Sequence, residues 1–72
     1  MEYTVLLHPA EEGGYWAEVP TLPGCFSQGE TVEETLQNVK EAIESHVAAL
    51  REEGKSVTGD NGLLIGHVQV AA

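Results

Sequence analysis

The sequence predicts an α+β fold of order β-β-β-α-β, an antiparallel meander with one long helix on one sheet face. Two observations carry this prediction. Short runs of alternating apolar and polar residues separated by glycine- and proline-rich turns occupy the first third of the chain. A single amphipathic stretch with a clear start and stop signal follows them.

Residues Tyr3–His8 alternate, with Tyr3, Val5 and Leu7 on one side and Thr4, Leu6 and His8 on the other. Period two is the signature of a half-buried strand. Pro9 ends the run, because proline has no amide proton to give to a ladder. Ala10-Glu11-Glu12-Gly13-Gly14 reads as a hairpin loop, and Tyr15–Val19 as the returning strand. Its parity sets Tyr15, Ala17 and Val19 against Trp16 and Glu18. Pro20 opens the next connection. Pro23-Gly24 suits the two central positions of a type II turn, where proline pre-sets φ and glycine accepts a positive φ. A short strand, Cys25–Gln28, then runs to Gly29.

Thr31-Val32-Glu33-Glu34 reads as a capping box, in which Thr31 and Glu34 satisfy amides left open at the helix start. Val32, Leu36, Val39, Ile43, Val47 and Leu50 recur at three- and four-residue steps and form one apolar stripe. Gly54 supplies the left-handed stop, so the helix is expected from about Val32 to Glu53. After a polar stretch, Leu63–Val70 is predicted as a last strand, with Leu64, Val68 and Val70 on one face and Leu63, Ile65, His67 and Gln69 on the other. One helix covers one face of a sheet. Leu6, Trp16 and Ile65 fall on the opposite face, which predicts that dimerisation completes the sheet.

At 72 residues the chain is expected to form one domain, residues 1–72. A domain of this size buries only about 60% of its unfolded surface, so a second subunit is an expected source of stability. Cys25 is the only cysteine, which excludes an internal disulfide and fits a reducing compartment. His8, His46 and His67 are too widely spaced for a closed zinc site, and no cofactor is expected. The N-terminus shows no secretory signal pattern, and no apolar run is long enough to span a membrane. A cytoplasmic location is therefore expected.

Twelve acidic against three basic side chains give a formal net charge of −9. Lys40, Arg51 and Lys55 cannot build a phosphate-tracking groove, so nucleic acid binding through this chain is not expected. A basic protein partner would instead be steered toward it.

The contiguous segment Tyr15–Leu36 resembles the HicB-like family. The resemblance rests on Gly13-Gly14-Tyr15, on Val19-Pro20-Thr21-Leu22-Pro23-Gly24-Cys25, and on Gly29-Glu30-Thr31-Val32-Glu33-Glu34, continuing through Ile43. Thr35 stands where the family usually has alanine, and Val57–Asp60 where a proline-bearing segment often follows the helix. The resemblance implies an antitoxin of a type II toxin–antitoxin pair, with a partial ribonuclease H-like domain that masks HicA, a small basic ribonuclease. Full-length members commonly add a C-terminal DNA-binding domain, and none is expected after Val70 in this sequence.

A metal-dependent nuclease is the competing catalytic reading, and it needs several carboxylates converging on a cation. Strand one carries Val5-Leu6 at its centre, Asp60 is the only aspartate, and Glu18 is the only acidic residue within a predicted strand. Cys25 follows a tight turn and is expected to pack inward rather than to act as a nucleophile. The chain is thus expected not to be an enzyme. The candidate partner or dimer contacts are Leu6, Trp16, Glu11, Glu12, Ile65 and His67, with Trp16 foremost because tryptophan is enriched at interface hot spots. An oligomeric binding or assembly module without a toxin is the alternative function.

Overall fold

The computed structural model describes residues 1–71. Strands β1 (Leu6–Pro9), β2 (Tyr15–Glu18) and β3 (Phe26–Gly29) precede helix α1 (Val32–Glu52). The strands form one antiparallel sheet in the order β1-β2-β3. Leu6 pairs with Glu18 and His8 with Trp16 across the first hairpin. Trp16 pairs with Gln28 and Glu18 with Phe26 across the second.

Each connection follows from its residues. In the first loop Gly13 and Gly14 take φ of 100° and 74°, a region that side chains avoid. Pro20 and Pro23 each lead a turn: Leu22 N donates to Val19 O, and Cys25 N donates to Leu22 O, both at 3.0 Å. Gly24, at φ 86°, sits third in the second turn, as a type II turn requires. Val19 N donates to Cys25 O at 3.2 Å and closes the loop, which turns Val19, Leu22 and Cys25 into the core.

That loop also corrects the first strand. Tyr3–Val5 do not join the ladder, because β2 ends at Glu18 and Pro20, the next residue on the β1 side, has no amide proton to donate. The strand is therefore shorter than Tyr3–His8. Tyr3, Val5 and Leu7 still pack inward, as their parity predicts.

At the helix start, Thr31 Oγ1 accepts from Glu34 N at 3.1 Å. The Glu34 carboxylate accepts from Glu30 N at 2.8 Å, one residue further back than in the expected capping box. The Schellman arrangement closes the other end: Gly54 N donates to Arg51 O and Lys55 N to Leu50 O, each at 3.0 Å.

The core consists of Ala17, Val19, Leu22, Cys25 and Val39, with Thr35 fully buried beside it. Thr35 keeps its hydroxyl satisfied by donating to Thr31 O at 2.7 Å. The helix packs on β3 and β2. Asn38 Nδ2 donates to Gln28 O at 2.7 Å and ties the two together. The helix is turned so that Thr35 and Val39 face the sheet. Leu36, expected within the buried stripe, is 43% exposed at its border.

Leu63–Val70 form no strand within the chain, contrary to expectation. The segment before it is held firmly. Asp60 N donates to Glu2 O at 2.8 Å. Its carboxylate accepts from Thr4 Oγ1 at 2.6 Å and from Thr21 Oγ1 at 2.9 Å. Asp60 thus joins the chain's start, the proline turns and the post-helix segment. Gly59 permits the approach, since a Cβ there would come within 2.6 Å of Glu2 O. Beyond Asp60 the chain leaves the body, and residues 61–71 are all exposed.

Two outcomes are expected. A Cβ on Gly29 would come within 2.7 Å of Thr35 N and 2.8 Å of its Oγ1. Overpacking of this kind costs about 1–3 kcal/mol, so Gly29→Ala should lower the melting temperature by roughly 5–15 °C. Gly66→Ala, where a Cβ meets nothing within 4 Å, should leave it unchanged. The hydrogen bond from Thr4, foremost, holds the Asp60 carboxyl below its ordinary range, with Thr21 adding to the effect. A lowered folded-state pKa gives stability that is present above the ordinary carboxylate range and is lost as pH falls through the lowered value. Thermal melts of wild type and Asp60→Asn should therefore differ at neutral pH and converge below about pH 4.

Candidate protein-interaction surface

Because α1 lies on one side of the sheet, the other side is left uncovered, and parity decides what stands there. Leu6 and His8 come from β1, Trp16 and Glu18 from β2, and Phe26 and Gln28 from β3. The cross-strand pair His8–Trp16 stacks, with ring centroids 4.2 Å apart and planes 18° from parallel. Trp16 and Phe26 lie diagonally, 6.2 Å apart and tilted by 49°. Such pairs contribute about 0.5–1.5 kcal/mol beyond area burial. The stack therefore fixes the Trp16 ring in place without burying it. Trp16 remains 36% exposed and Phe26 58%.

His8 Nε2 is shielded and lies 3.2 Å from Glu18 Oε2, without hydrogen-bond alignment. The contact is an ion pair only when the imidazole is protonated. The rim is acidic. Glu11, Glu12 and Glu30 border a cleft of about 660 Å³ that Pro9, Tyr15, Trp16 and Gln28 also line.

Of the residues singled out in the sequence, Leu6 and Trp16 share this face, and Glu11 and Glu12 stand beside it. Ile65 and His67 do not. They lie in the exposed segment after Asp60 and form no ladder with Leu6 or Trp16. Phe26 and His8 complete the face. Phe26 was legible in principle, since an inward Cys25 forces its neighbour outward.

The proline-turn and cap residues are structural. Pro20, Pro23, Gly24 and Cys25 shape the loop under the core, and Gly29, Thr31 and Glu34 seat the helix. Cys25 is 4% exposed, and burial pushes its thiol pKa up, away from the thiolate a nucleophile needs. Among the described residues, no three His, Cys, Asp or Glu side chains converge to hold a metal. No helix among them is long and apolar enough to cross a membrane.

The profile of the HicB_like antitoxin of bacterial toxin–antitoxin systems matches residues 3–67. The chain belongs to the HicB-like antitoxin family. It is 44% identical to a UPF0150 protein of Thermoplasma acidophilum, over 85% of this chain and 88% of that one. It is 51% identical to a UPF0150 protein of Synechocystis, over 76% and 70% of the two chains. Among solved structures it resembles the N-terminal domain of the Burkholderia pseudomallei antitoxin HicB. The TM-score is 0.74 at 36% identity, covering 85% of this chain and 74% of that domain. Against the crystal structure of the B. pseudomallei antitoxin itself the TM-score is 0.73, and the match spans 48% of that chain. The strand-strand-strand-helix order is thus that of a HicB N-terminal domain.

The uncovered face should be dispensable for folding. Phe26→Ser should change unfolding free energy by about 1 kcal/mol or less, whereas Trp16→Ala, which also loses its stack on His8, should cost about 1–2 kcal/mol. Val39→Ala, in the core, should cost about 2–3 kcal/mol. Urea titrations compare them, and a loss at Phe26 as large as at Val39 would make the face structural.

Proposed function

We propose that this HicB-like chain is a protein-binding module that masks a small basic HicA-like ribonuclease, using the open face of its sheet. The observation that carries this reading is the ordered aromatic cluster His8–Trp16–Phe26, rimmed by Glu11, Glu12, Glu18 and Glu30, on a chain of net charge −9. Exposed aromatics fixed by stacking provide contact area at low entropic cost, the usual character of an interface hot spot. The carboxylate rim would speed encounter with a cationic partner and set its orientation. Membership in an antitoxin family supports the same reading.

The decisive test mixes the purified chain with a small basic HicA-like ribonuclease and follows RNA cleavage. Stoichiometric chain should abolish cleavage, and undiminished cleavage at excess chain would refute masking. Trp16→Ala, by removing a central anchor, should weaken inhibition by about 30-fold or more, equivalent to about 2 kcal/mol. Raising salt should slow association more than it speeds dissociation.

A further inference from the structure

The chain has two asparagines, Asn38 and Asn61, and they stand in opposite surroundings. Asn38 lies inside α1, where its Nδ2 donates to Gln28 O at 2.7 Å. The residue after it is Val39, branched at Cβ and 2% exposed, with its amide inside the helix ladder. Asn61 lies in the bend that follows Asp60, and it is exposed. The residue after it is Gly62, also exposed, at φ 76°. A Cβ there would meet nothing within 4 Å, so the space beside it is open. Among the described residues no backbone carbonyl accepts from the Gly62 amide.

The nitrogen of the residue after an asparagine reaches the side-chain amide carbon by closing a five-membered ring. Holding both groups in one chain makes the attack intramolecular, which favours it strongly over attack by water. A regular helix, a hydrogen-bonded amide and a branched side chain beside the nitrogen each oppose it. All three protect Asn38, and among the described residues none of them stands at Asn61. Glycine puts no Cβ beside the attacking nitrogen and lets the backbone rotate into the ring-closing geometry. The carboxylate of neighbouring Asp60 is engaged by Thr4 Oγ1 and Thr21 Oγ1, which withholds it from the equivalent reaction.

We propose that Asn61-Gly62 is a site of spontaneous modification, at which Asn61 converts through a cyclic imide to aspartate and isoaspartate. The Gly62 nitrogen forms a bond to Asn61 Cγ, the Cγ–Nδ2 bond breaks, and ammonia leaves carrying the Gly62 amide proton. Water then opens the imide at one of its two carbonyl carbons. Opening at the main-chain carbonyl passes the chain through the side-chain carbon and gives isoaspartate. Opening at Cγ restores the ordinary peptide bond and gives aspartate. Either product turns a neutral amide into a carboxylate and takes the net charge from −9 to −10. Isoaspartate also lengthens the main chain by a methylene. The site falls between Asp60, whose amide is bonded to Glu2 O, and the exposed residues from Leu63 onward. The change therefore recharges and re-aims that segment while leaving the sheet, the helix and the aromatic face as they are.

The test ages the folded full chain in mildly alkaline buffer and follows its mass, so the outcome does not depend on any partner. Intact mass should rise by about 1 Da, the difference between the ammonia lost and the water gained. Trypsin, cutting after Lys40, Arg51 and Lys55, puts the two asparagines in separate peptides. The gain should lie in the peptide that follows Lys55. Its rate there should be at least about tenfold that in the peptide ending at Lys40, because Asn38 reacts only when α1 opens. Part of the product should accept methyl groups from an isoaspartate-specific carboxyl methyltransferase. Asn61→Gln, which would need a larger ring, should cut the gain at least about tenfold. Gly62→Ala should slow it severalfold by crowding the attacking nitrogen. No gain after Lys55, or an equal gain at Asn38, would overturn the proposal. So would a rate indifferent to Gly62→Ala, since water would then be attacking the side-chain amide directly.

Discussion

The rest of the structure depends on the close approach of the helix start to Gly29. With no Cβ in the way, the Thr35 backbone packs directly over the end of β3. Thr31 caps the first turn just beforehand, and Asn38 bonds the β3 backbone one turn later. Three successive contacts thus set both the position and the rotation of α1. Rotation is the consequential quantity, because it directs Val39 into the sheet and leaves Leu36 at the border. The buried core and the exposure of Leu36 are two results of the same constraint.

A single helix on a three-stranded sheet also determines which face stays open. The covered face holds small residues, Ala17 and Cys25 among them, that allow close packing. The open face carries the large rings, held by a cross-strand stack rather than by burial. Acidic side chains of the hairpin loop and of the β3–α1 junction, Glu11, Glu12 and Glu30, border the aromatic patch at one end. This division suits the proposed binding role: a core packed on the helix side, and an apolar patch held by stacking with carboxylates at its border.

Asp60 contributes in a way that composition does not reveal. As the only aspartate it reads in sequence as an absence, a missing partner for a metal site. In the fold it accepts hydroxyl protons from Thr4 and Thr21 while its amide bonds Glu2. It holds the end of the post-helix segment against the beginning of the chain. That anchor defines where the exposed C-terminal stretch departs from the body.

Local chemistry, readable in the sequence, determined the three strands, the proline turns, the capped helix and the family. Turn geometry at Pro23-Gly24, hydroxyl capping at Thr31 and the left-handed stop at Gly54 act within a few residues and need no knowledge of the rest. Parity likewise assigned Trp16 to the open face and Ala17 to the core. Only the tertiary structure decided what depends on neighbours distant in the chain. Strand one was shortened because β2 turns away at Pro20, the helix stripe rotated because Gly29 admits Thr35, and Leu63–Val70 found no partner within one chain. A strand is made by the edge it pairs with, and alternation alone cannot supply that edge.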